Sequence, residues 1–278
     1  METQVGLSRD QVVQFHEQGY YFPVRVLEGS EMAELRAQFD SFLDYHWQRL
    51  KDLPPNRHDE VFAETHIFLR WVYRIVSHRN VLDAVESLLG PDLLVWDTGW
   101  FTKLPGDKMY VSWHQDANYW GLHPPNVVTA WVALSESIPE NGCMRVVPGS
   151  HKTRLLPQRE TYAKDNALSR GQEIAVEVDE AKAVDLVLQP GEMSLHHVDI
   201  IHGSEANHST KPRIGIAIRY ITPNVVQDGV VRQLALLVRG RDDFGHFDLI
   251  DPPESDDPAS NERQVECLRR MMTNIMPK

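Results

Sequence analysis

Two short segments of this 278-residue chain carry side chains that could hold a metal ion. His114 and Asp116 lie two positions apart, and in an extended segment such side chains point to the same face and can converge on one ion. Because the chain contains 13 histidines, this spacing alone is weak evidence. His202 can complete the set, and two imidazoles with one carboxylate leave coordination positions open, the arrangement that suits Fe(II) oxygenases. We therefore predict an iron site at these three residues.

An arginine eleven residues after His202 adds a second binding function to the predicted metal site. Arg213 begins the most apolar segment of the C-terminal half, residues 214–218. A charge at the start of such a segment needs a partner. A planar guanidinium binds a carboxylate through two parallel charge-assisted hydrogen bonds. The pattern predicts that Arg213 holds one carboxylate of a dicarboxylic co-substrate, and the alternative is an ion pair at the surface.

The elements that would position these residues begin near residue 93, where short runs rich in Val, Ile, Trp and Thr alternate with turns. No helical pattern separates the runs, which favours an antiparallel sandwich or jelly roll over a parallel α/β sheet. We predict a mainly β (α+β) fold, a cupin-like double-stranded β-helix with flanking N-terminal helices. The predicted strands cover residues 93–103, 111–114, 127–134, 145–147, 173–178, 192–197 and 213–221.

The N-terminal third has the pattern of helices with one inserted strand. Ser8 and Gln11 have the spacing of a capping box, and Gly19 is placed to end the first helix. Later apolar residues recur at three- and four-residue intervals, which indicates amphipathic helices. The further predicted elements are a strand at 20–24 and helices that begin at Ser30, cover 80–89 and cover 261–271.

The length of 278 residues is enough for one large domain with its own core. We predict a single catalytic domain over residues 1–278. Within it, a helical layer is expected at about 8–90, a barrel core at about 93–222, and a C-terminal lid and helix at 227–278.

The charge and composition of the chain exclude several classes of partner. The formal net charge is -12 and no cluster of Lys and Arg stands out, so nucleic acid is not expected to bind. No apolar run is long enough to cross a membrane, and the first residues do not resemble a signal peptide. Cys143 and Cys267 are too few for a disulfide framework or a thiolate metal site. We expect a cytoplasmic monomer or homodimer that acts on a small molecule.

The order of several motifs resembles the phytanoyl-CoA dioxygenase family of Fe(II)- and 2-oxoglutarate-dependent oxygenases, specifically its bacterial branch of small-molecule hydroxylases. The resemblance runs from about residue 9 to residue 250. It implies a double-stranded β-helix that uses Fe(II), 2-oxoglutarate as co-substrate and O2. The segments that carry it are Phe101-Thr102-Lys103, Trp113-His114-Gln115-Asp116, Thr129-Ala130-Trp131, Asn141-Gly142, Pro148-Gly149-Ser150-His151, and His202-Gly203-Ser204 with Asn207 and Arg213.

By this resemblance, further residues are expected beside the co-substrate. Lys103, Thr129, Trp131 and Ser204 are implied as its neighbours, and Gln115 is implied at its border. Related halogenases have a small residue in place of the metal-binding carboxylate, so Asp116 argues against that activity.

The substrate region is predicted from residues near the iron motif and from the C-terminal segment. Asn118, Tyr119 and Trp120 follow the motif directly and could offer a polar contact and an aromatic wall. Of the adjacent histidines 196 and 197, only one can face the barrel, and we predict His197. Arg239 lies in the predicted lid, where a basic side chain would suit an anionic or zwitterionic substrate.

Four functions are compatible with parts of this pattern. Hydroxylation of a C–H bond in a small polar molecule, with release of succinate and CO2, uses every predicted site residue. Tailoring of a natural product by desaturation or ring closure would use the same metal site. A non-catalytic cupin-like binding protein has no use for His202 together with Arg213. A zinc hydrolase would need a placed general base and no dicarboxylate clamp.

Overall fold

The fold is described from a computed structural model, which covers residues 6–153, 155–229 and 232–257. The helix predicted at 261–271 lies outside these ranges. The first helix begins with the predicted capping box, in which Ser8 and Gln11 exchange hydrogen bonds, and ends at Gly19. The α-helices are α1 (Arg9–Gln18), α2 (Gly29–Leu50), α3 (Asp59–Phe62), α4 (Arg70–Val76), α5 (Arg79–Leu89) and α6 (Ala117–Trp120).

The strands of the described residues include seven with bounds close to the predicted ones and further strands that were not predicted. They are β1 (Tyr20–Arg25), β2 (Leu93–Lys103), β3 (Val111–His114), β4 (Leu122–His123), β5 (Val127–Ala133), β6 (Arg145–Val146), β7 (Gln158–Glu160), β8 (Gln172–Ile174), β9 (Val184–Asp185), β10 (Glu192–His197), β11 (His202–Ser204), β12 (Arg213–Ile221), β13 (Val226–Gln227), β14 (Leu234–Arg239) and β15 (Asp248–Leu249).

Most of these strands form two antiparallel sheets that face each other. The major sheet has the order β1-β10-β5-β12-β2-β14-β15, in which only the β14–β15 pair is parallel, and the minor sheet has the order β3-β11-β6-β9. This arrangement confirms the predicted jelly roll with flanking helices. The strand predicted at 173–178 differs, because β8 is shorter and pairs only with β7 in a separate hairpin.

The two faces of the major sheet have different compositions. One face carries apolar side chains such as Ile214, Ile216 and Ile218 of β12, which pack against the helices in one hydrophobic core. Each such buried side chain contributes roughly 1.5–3 kcal/mol to folding. The residues at alternate positions point to the other face, between the sheets. Among the described residues, no helix is both long and apolar enough to cross a bilayer.

The C-terminal segment that was predicted as a lid joins the major sheet instead. Its strand β14 pairs antiparallel with β2, where Arg239 lies opposite Leu93. The guanidinium of Arg239 contacts the carboxylates of Asp83 and Glu86 on α5 at 2.7 Å and 2.5 Å. Arg239 therefore packs against the helical layer, which differs from the predicted contact with substrate. Apolar β14 residues such as Leu236 belong to the core and account for this placement.

Replacing Arg239 by alanine is expected to lower stability slightly and to leave the oxidation site intact. Its side chain is 23% exposed, so loss of the two ion pairs should cost only about 1 kcal/mol. Thermal unfolding and turnover of 2-oxoglutarate, with and without substrate, would be compared with wild type. A selective loss of substrate-dependent turnover would contradict the structural role of Arg239 and restore the predicted one.

Candidate metal centre

The three predicted metal ligands lie together between the two sheets. His114 ends β3 and lies directly opposite His202 of β11 in the antiparallel pair. The chain then leaves the strand and turns into α6, with Asp116 in the right-handed helical region at the start of the turn. Oδ1 of Asp116 lies 3.3 Å from Nε2 of His114, and Oδ2 lies 3.9 Å from Nε2 of His202. One ligand atom from each residue falls within 4.8 Å of the others.

A glycine permits the close approach of the two strands that carry the histidines. A Cβ atom at Gly203 would lie 2.9 Å from the carbonyl oxygen of Val111 on β3. A side chain here would push β11 away from β3. It would therefore also increase the distance between His202 and His114. The His-Gly pair in the sequence is therefore part of the geometry of the site.

Both imidazoles are held in the tautomer that suits metal binding. Nδ1 of His114 lies 2.8 Å from the carbonyl oxygen of Ser112, and Nδ1 of His202 lies 3.1 Å from that of Ile200. A carbonyl only accepts a hydrogen bond, so each Nδ1 donates, and each Nε2, which points to Asp116, is the nitrogen that can bind a metal ion. Such backbone contacts are the usual way in which metal-binding histidines are oriented.

The charge states of the site also favour a cation. Burial, followed by the neighbouring His114, lowers the pKa of His202 to about 4, so that its imidazole is neutral at pH 7. Burial alone would raise the pKa of Asp116, but the nearby His202 and His114 hold it below the ordinary value. A buried carboxylate with two imidazoles is a donor set for a divalent metal ion.

Arg213 lies in the same cavity as the triad and lacks an anionic partner. It is 2% exposed, and its Nε and Nη2 atoms have no hydrogen-bond partner among the described residues. Burial lowers its pKa to about 10, which still leaves the guanidinium charged at neutral pH. A buried charge without a partner is costly, so these nitrogens indicate a site for an anionic ligand.

The ring of Trp131 fixes the position of this guanidinium. The central carbon of Arg213 lies 5.3 Å from the ring centroid, within the range of a cation–π contact. The ring lies over Gly215, where an added Cβ atom would come within 2.2 Å of ring carbon Cζ2. Glycine at this position therefore makes room for the aromatic support of Arg213.

Lys103 closes the same end of the site. It lies opposite Arg213 on β2 and is fully buried, and its Nζ donates to Oγ of Ser204 at 2.6 Å and to the carbonyl oxygen of Glu205. Burial and the charge of Arg213 lower the pKa of Lys103 well below its ordinary value. Asn207 anchors the backbone by donating to the carbonyl oxygen of Lys103 at 3.0 Å.

An inner cavity of about 50 Å³ connects these groups. Oγ1 of Thr129 is buried in its wall without a hydrogen-bond partner, like the guanidinium of Arg213. The residues present fit a divalent iron with a chelating dicarboxylate, because the donor set lies at one end and the free guanidinium at the other. The predicted residues that line the inner cavity are His114, Asp116, Thr129, Trp131, His202, Ser204 and Arg213.

An outer chamber of about 250 Å³ shares a wall with the inner cavity. Tyr119 and Trp120 line it, as predicted for the substrate region. Asn118 is exposed instead, and its Nδ2 lies 3.4 Å from the carbonyl oxygen of Leu156. Short α6 turns its aromatic side chains toward the chamber and its amide toward solvent, so Asn118 does not line the predicted substrate region.

The histidine that faces the site is His196, not the predicted His197. His196 is buried in the wall of the inner cavity, with its ring 4.9 Å from that of His202. His197 points to the other face of β10, where its ring lies 5.3 Å from that of His151. His197 is two residues after Leu195, so it shares a face of the strand with Leu195, whose side chain lies in the core under the helices. This alternation was the signal in the sequence that identifies His196 as the inward histidine.

Gln115 also lies outside the inner cavity, in contrast to the border position that the resemblance implies. Its Nε2 donates to the carbonyl oxygen of Asp199 at 2.8 Å, and its Oε1 accepts from the backbone nitrogen of Leu156 at 2.8 Å. The chain leaves the strand after His114, and these loop contacts hold the Gln115 side chain away from the cavity that His114 and Asp116 line. Its side chain therefore ties two loops to the back of the metal centre.

Sequence reasoning missed a charged group in the wall between the two cavities. Arg219 lines both the inner cavity and the outer chamber, and Asp97, 2.8 Å away, lines the chamber. Arg219 lies six residues after Arg213 on β12, so both side chains point to the same face of the sheet. This even spacing was the signal in the sequence that could have identified Arg219. Glu64 extends this group by a hydrogen bond to Asp97, but it is remote in sequence and could not be linked to them.

The jelly roll, the His/Asp/His triad and the free guanidinium are together characteristic of the Fe(II)- and 2-oxoglutarate-dependent oxygenases. The sequence profile of the phytanoyl-CoA dioxygenase (PhyH) family matches residues 15–215. The chain belongs to this family.

Individual relatives agree with the family assignment. A probable alpha-ketoglutarate-dependent hypophosphite dioxygenase from Stutzerimonas stutzeri is 31% identical over 162 residues, which are 56% of this chain and 54% of that protein. The chain thus spans about half the length of this relative. The ectoine dioxygenase of Nocardia farcinica (strain IFM 10152) is 27% identical over 247 residues, which cover 81% of this chain and 80% of that protein.

Solved structures show the same fold. The non-heme monooxygenase ThoJ in its apo form is 37% identical, with a TM-score of 0.82 over 96% of this chain and 97% of that one. CytC3 with Fe(II) and alpha-ketoglutarate is 23% identical, with a TM-score of 0.63 over 88% of this chain and 93% of that one. At that identity, the likeness to CytC3 concerns the fold alone.

Proposed function

We propose that this protein is an Fe(II)- and 2-oxoglutarate-dependent dioxygenase that hydroxylates an unactivated C–H bond of a small polar molecule. The observation that carries this proposal is the buried guanidinium of Arg213, which faces the His/Asp/His triad across the inner cavity without an anionic partner. A dicarboxylate that chelates the metal at one end can meet this guanidinium at the other.

The residues of the chain bind and orient the reacting groups. His114, Asp116 and His202 hold the metal. Arg213 holds the distal carboxylate of 2-oxoglutarate, supported by Trp131. When bound, iron with 2-oxoglutarate and O2 supplies the oxidation of the C–H bond, with release of succinate and CO2. The task of the protein is then to bring one C–H bond of the substrate to the metal and to keep bulk water out.

Two further residues support the co-substrate end. Lys103 and Ser204 form a buried hydrogen bond beside Arg213, and burial with the charge of Arg213 lowers the pKa of the lysine. Oγ1 of Thr129 is free to donate to the co-substrate. These groups can replace the water that a free carboxylate would keep.

The dimensions of the outer chamber favour a small substrate. Its volume of about 250 Å³ is below the 300–1,000 Å³ typical of pockets for drug-sized ligands. Hypophosphite and ectoine, which two relatives have in their names, are small polar molecules. The carbocyclase SnoK has a related fold, with 25% identity and a TM-score of 0.63. Ring closure or desaturation would use the same metal site, and product analysis would distinguish these reactions from hydroxylation.

Succinate formation is the direct test of this proposal. Purified protein would receive Fe(II) and 2-oxoglutarate in air, with matched reactions that lack oxygen or iron. We expect slow succinate release that requires both, and faster release when a suitable small polar substrate is added. A non-catalytic binding protein would bind 2-oxoglutarate without converting it. A zinc hydrolase would be active without oxygen, and either result would overturn the proposal.

A further inference from the structure

A row of polar side chains crosses the inner face of the major sheet. His196 of β10 lies opposite Thr129 of β5, Thr129 lies opposite Arg219 of β12, and Arg219 lies opposite Asp97 of β2. Three of these four side chains have a buried polar atom without a hydrogen-bond partner among the described residues: Nδ1 of His196, Oγ1 of Thr129 and Nε of Arg219. Unsatisfied buried groups in one row indicate a surface that is completed by a ligand.

Arg219 is held with part of its binding capacity unused. Two aromatic rings flank it, since the central guanidinium carbon lies 5.8 Å from the ring centroid of Phe101 and 5.5 Å from that of Trp120. These rings fix the plane of the guanidinium. A guanidinium has five N–H donors, and Arg219 contacts Asp97 through Nη1 at 2.8 Å. The remaining donors include the unpartnered Nε.

The acidic neighbours of Arg219 do not cancel its capacity to bind an anion. Glu64 and Asp97 are in hydrogen-bond contact, and burial followed by the nearby Asp97 raises the pKa of Glu64 well above its ordinary value. A hydrogen bond between two carboxyl groups needs a proton from one of them, so the pair presents less negative charge than two free carboxylates. Within the described ranges, Asp97 is the one carboxylate in ion-pair contact with Arg219.

The position of Arg219 separates it from the co-substrate end of the site. Arg213 and Arg219 lie six residues apart on β12 and point to the same face, at a distance of about 20 Å along the strand. The inward residues between them are Gly215 and Ala217, which leave space beside the metal ligands. One cation thus stands at the closed end of the inner cavity, and the other in the wall of the outer chamber.

We propose that Arg219 binds an anionic group, a carboxylate or a phosphonate, of the primary substrate. This inference rests on the proposed function and names the class of substrate. Planar or tetrahedral oxyanions match the free edge of a guanidinium whose faces are covered by rings. A cationic group would be repelled by Arg219, and of the two acids in the chamber wall Asp97 is paired with Arg219 and Asp116 belongs to the metal centre.

The test uses four small probes that each carry one methyl group: acetate, methylphosphonate, acetamide and methylammonium. The protein would be loaded with Fe(II) and saturating 2-oxoglutarate without oxygen. The relaxation of the methyl protons, which paramagnetic iron accelerates at close range, would report binding near the metal. We expect saturable acceleration with at least one of the two anions, and none with the neutral amide or the cation. If neither anion binds saturably, or if methylammonium binds as tightly, the proposal is overturned.

Variants separate a binding role from a structural one. Arg219→Gln should weaken anion binding about tenfold to a hundredfold, the range for a lost charge-assisted hydrogen bond, and Arg219→Lys should recover part of it. Asp97→Asn removes the competing carboxylate and should tighten anion binding, which loss of packing would not do. The matched control is Arg159→Gln, at an exposed arginine paired with Glu173.

The same measurements distinguish failure of this inference from failure of the proposed function. Calorimetric binding of 2-oxoglutarate to the Fe(II) protein should be unchanged in Arg219→Gln. If that variant loses 2-oxoglutarate binding, Arg219 serves the chelating end of the co-substrate, and the inference fails while the proposed function stands. If wild-type protein with Fe(II) does not bind 2-oxoglutarate, the proposed function itself fails.

Discussion

Asp116→Ala is expected to abolish oxidation and to weaken Fe(II) binding. The substitution removes one metal ligand together with the only negative charge of the triad, and it leaves two imidazoles facing a buried cavity. Changes to groups that merely orient a ligand cost 10–100-fold, so the loss of a ligand should reduce turnover by roughly 100-fold or more. Fe(II) affinity and succinate formation would be measured on the same preparation.

Two further variants make this result specific. Asp116→Asn keeps the volume of the side chain and removes its charge, so it should also bind Fe(II) weakly. Asp228→Ala removes a carboxylate that is 75% exposed and contacts His123, and it should behave like wild type. Turnover near the wild-type rate in Asp116→Ala would contradict the metal assignment.

Arg213→Ala is expected to raise the KM for 2-oxoglutarate strongly. The variant would leave the distal carboxylate buried without a cation, which costs about 2–4 kcal/mol, or roughly 30-fold to several hundredfold in KM. Arg213→Lys should recover only part of this loss, because an ammonium cannot reproduce the two parallel hydrogen bonds of the fork. Initial rates at varied 2-oxoglutarate concentration would give the KM of each variant.

The specificity of this effect can be checked within the same experiment. Fe(II) affinity should change little, because Arg213 does not belong to the triad. Arg159→Ala, at an arginine that is 66% exposed, provides the matched control and should leave the KM unchanged. An unaltered affinity for 2-oxoglutarate in Arg213→Ala would mean that another residue holds the distal carboxylate.

The fold class and the central residues of the site could be predicted because their signals are local. The period-two runs after residue 93 indicated strands, and the structure confirms the jelly roll. His114, Asp116 and His202 were predicted from residue types that commonly bind metal ions, and the structure brings them together. Arg213 stood out because a charge begins an apolar strand.

The orientation of side chains was harder to predict than the strands that carry them. The choice between His196 and His197 depends on which face of β10 packs under the helices. An adjacent pair of histidines does not by itself reveal that face, and the neighbouring Leu195 has to be considered with it. Gln115 shows the same difficulty, since the chain leaves the strand after His114 and loop contacts decide where the amide points.

Long-range pairing could not be predicted at all. The segment from residue 227, which contains β14, was taken as a lid because it follows the last predicted barrel strand and carries basic residues. The antiparallel partner of β14, strand β2, lies more than a hundred residues earlier in the chain, and pairing at that separation leaves no local signal. The link between Glu64, Asp97 and Arg219 was hidden for the same reason.

The wall between the inner cavity and the outer chamber also divides the protein into parts that can accumulate amino-acid substitutions at different rates during evolution. The metal ligands His114 and His202, with Arg213, lie on or at the ends of paired strands. Much of the far wall of the chamber comes from the connection around Phe62 and the loop around Leu168. Loops tolerate substitution and insertion better than paired strands do. Exchange of these two segments between homologues is therefore a route to enzymes with new substrates and an unchanged oxidation site.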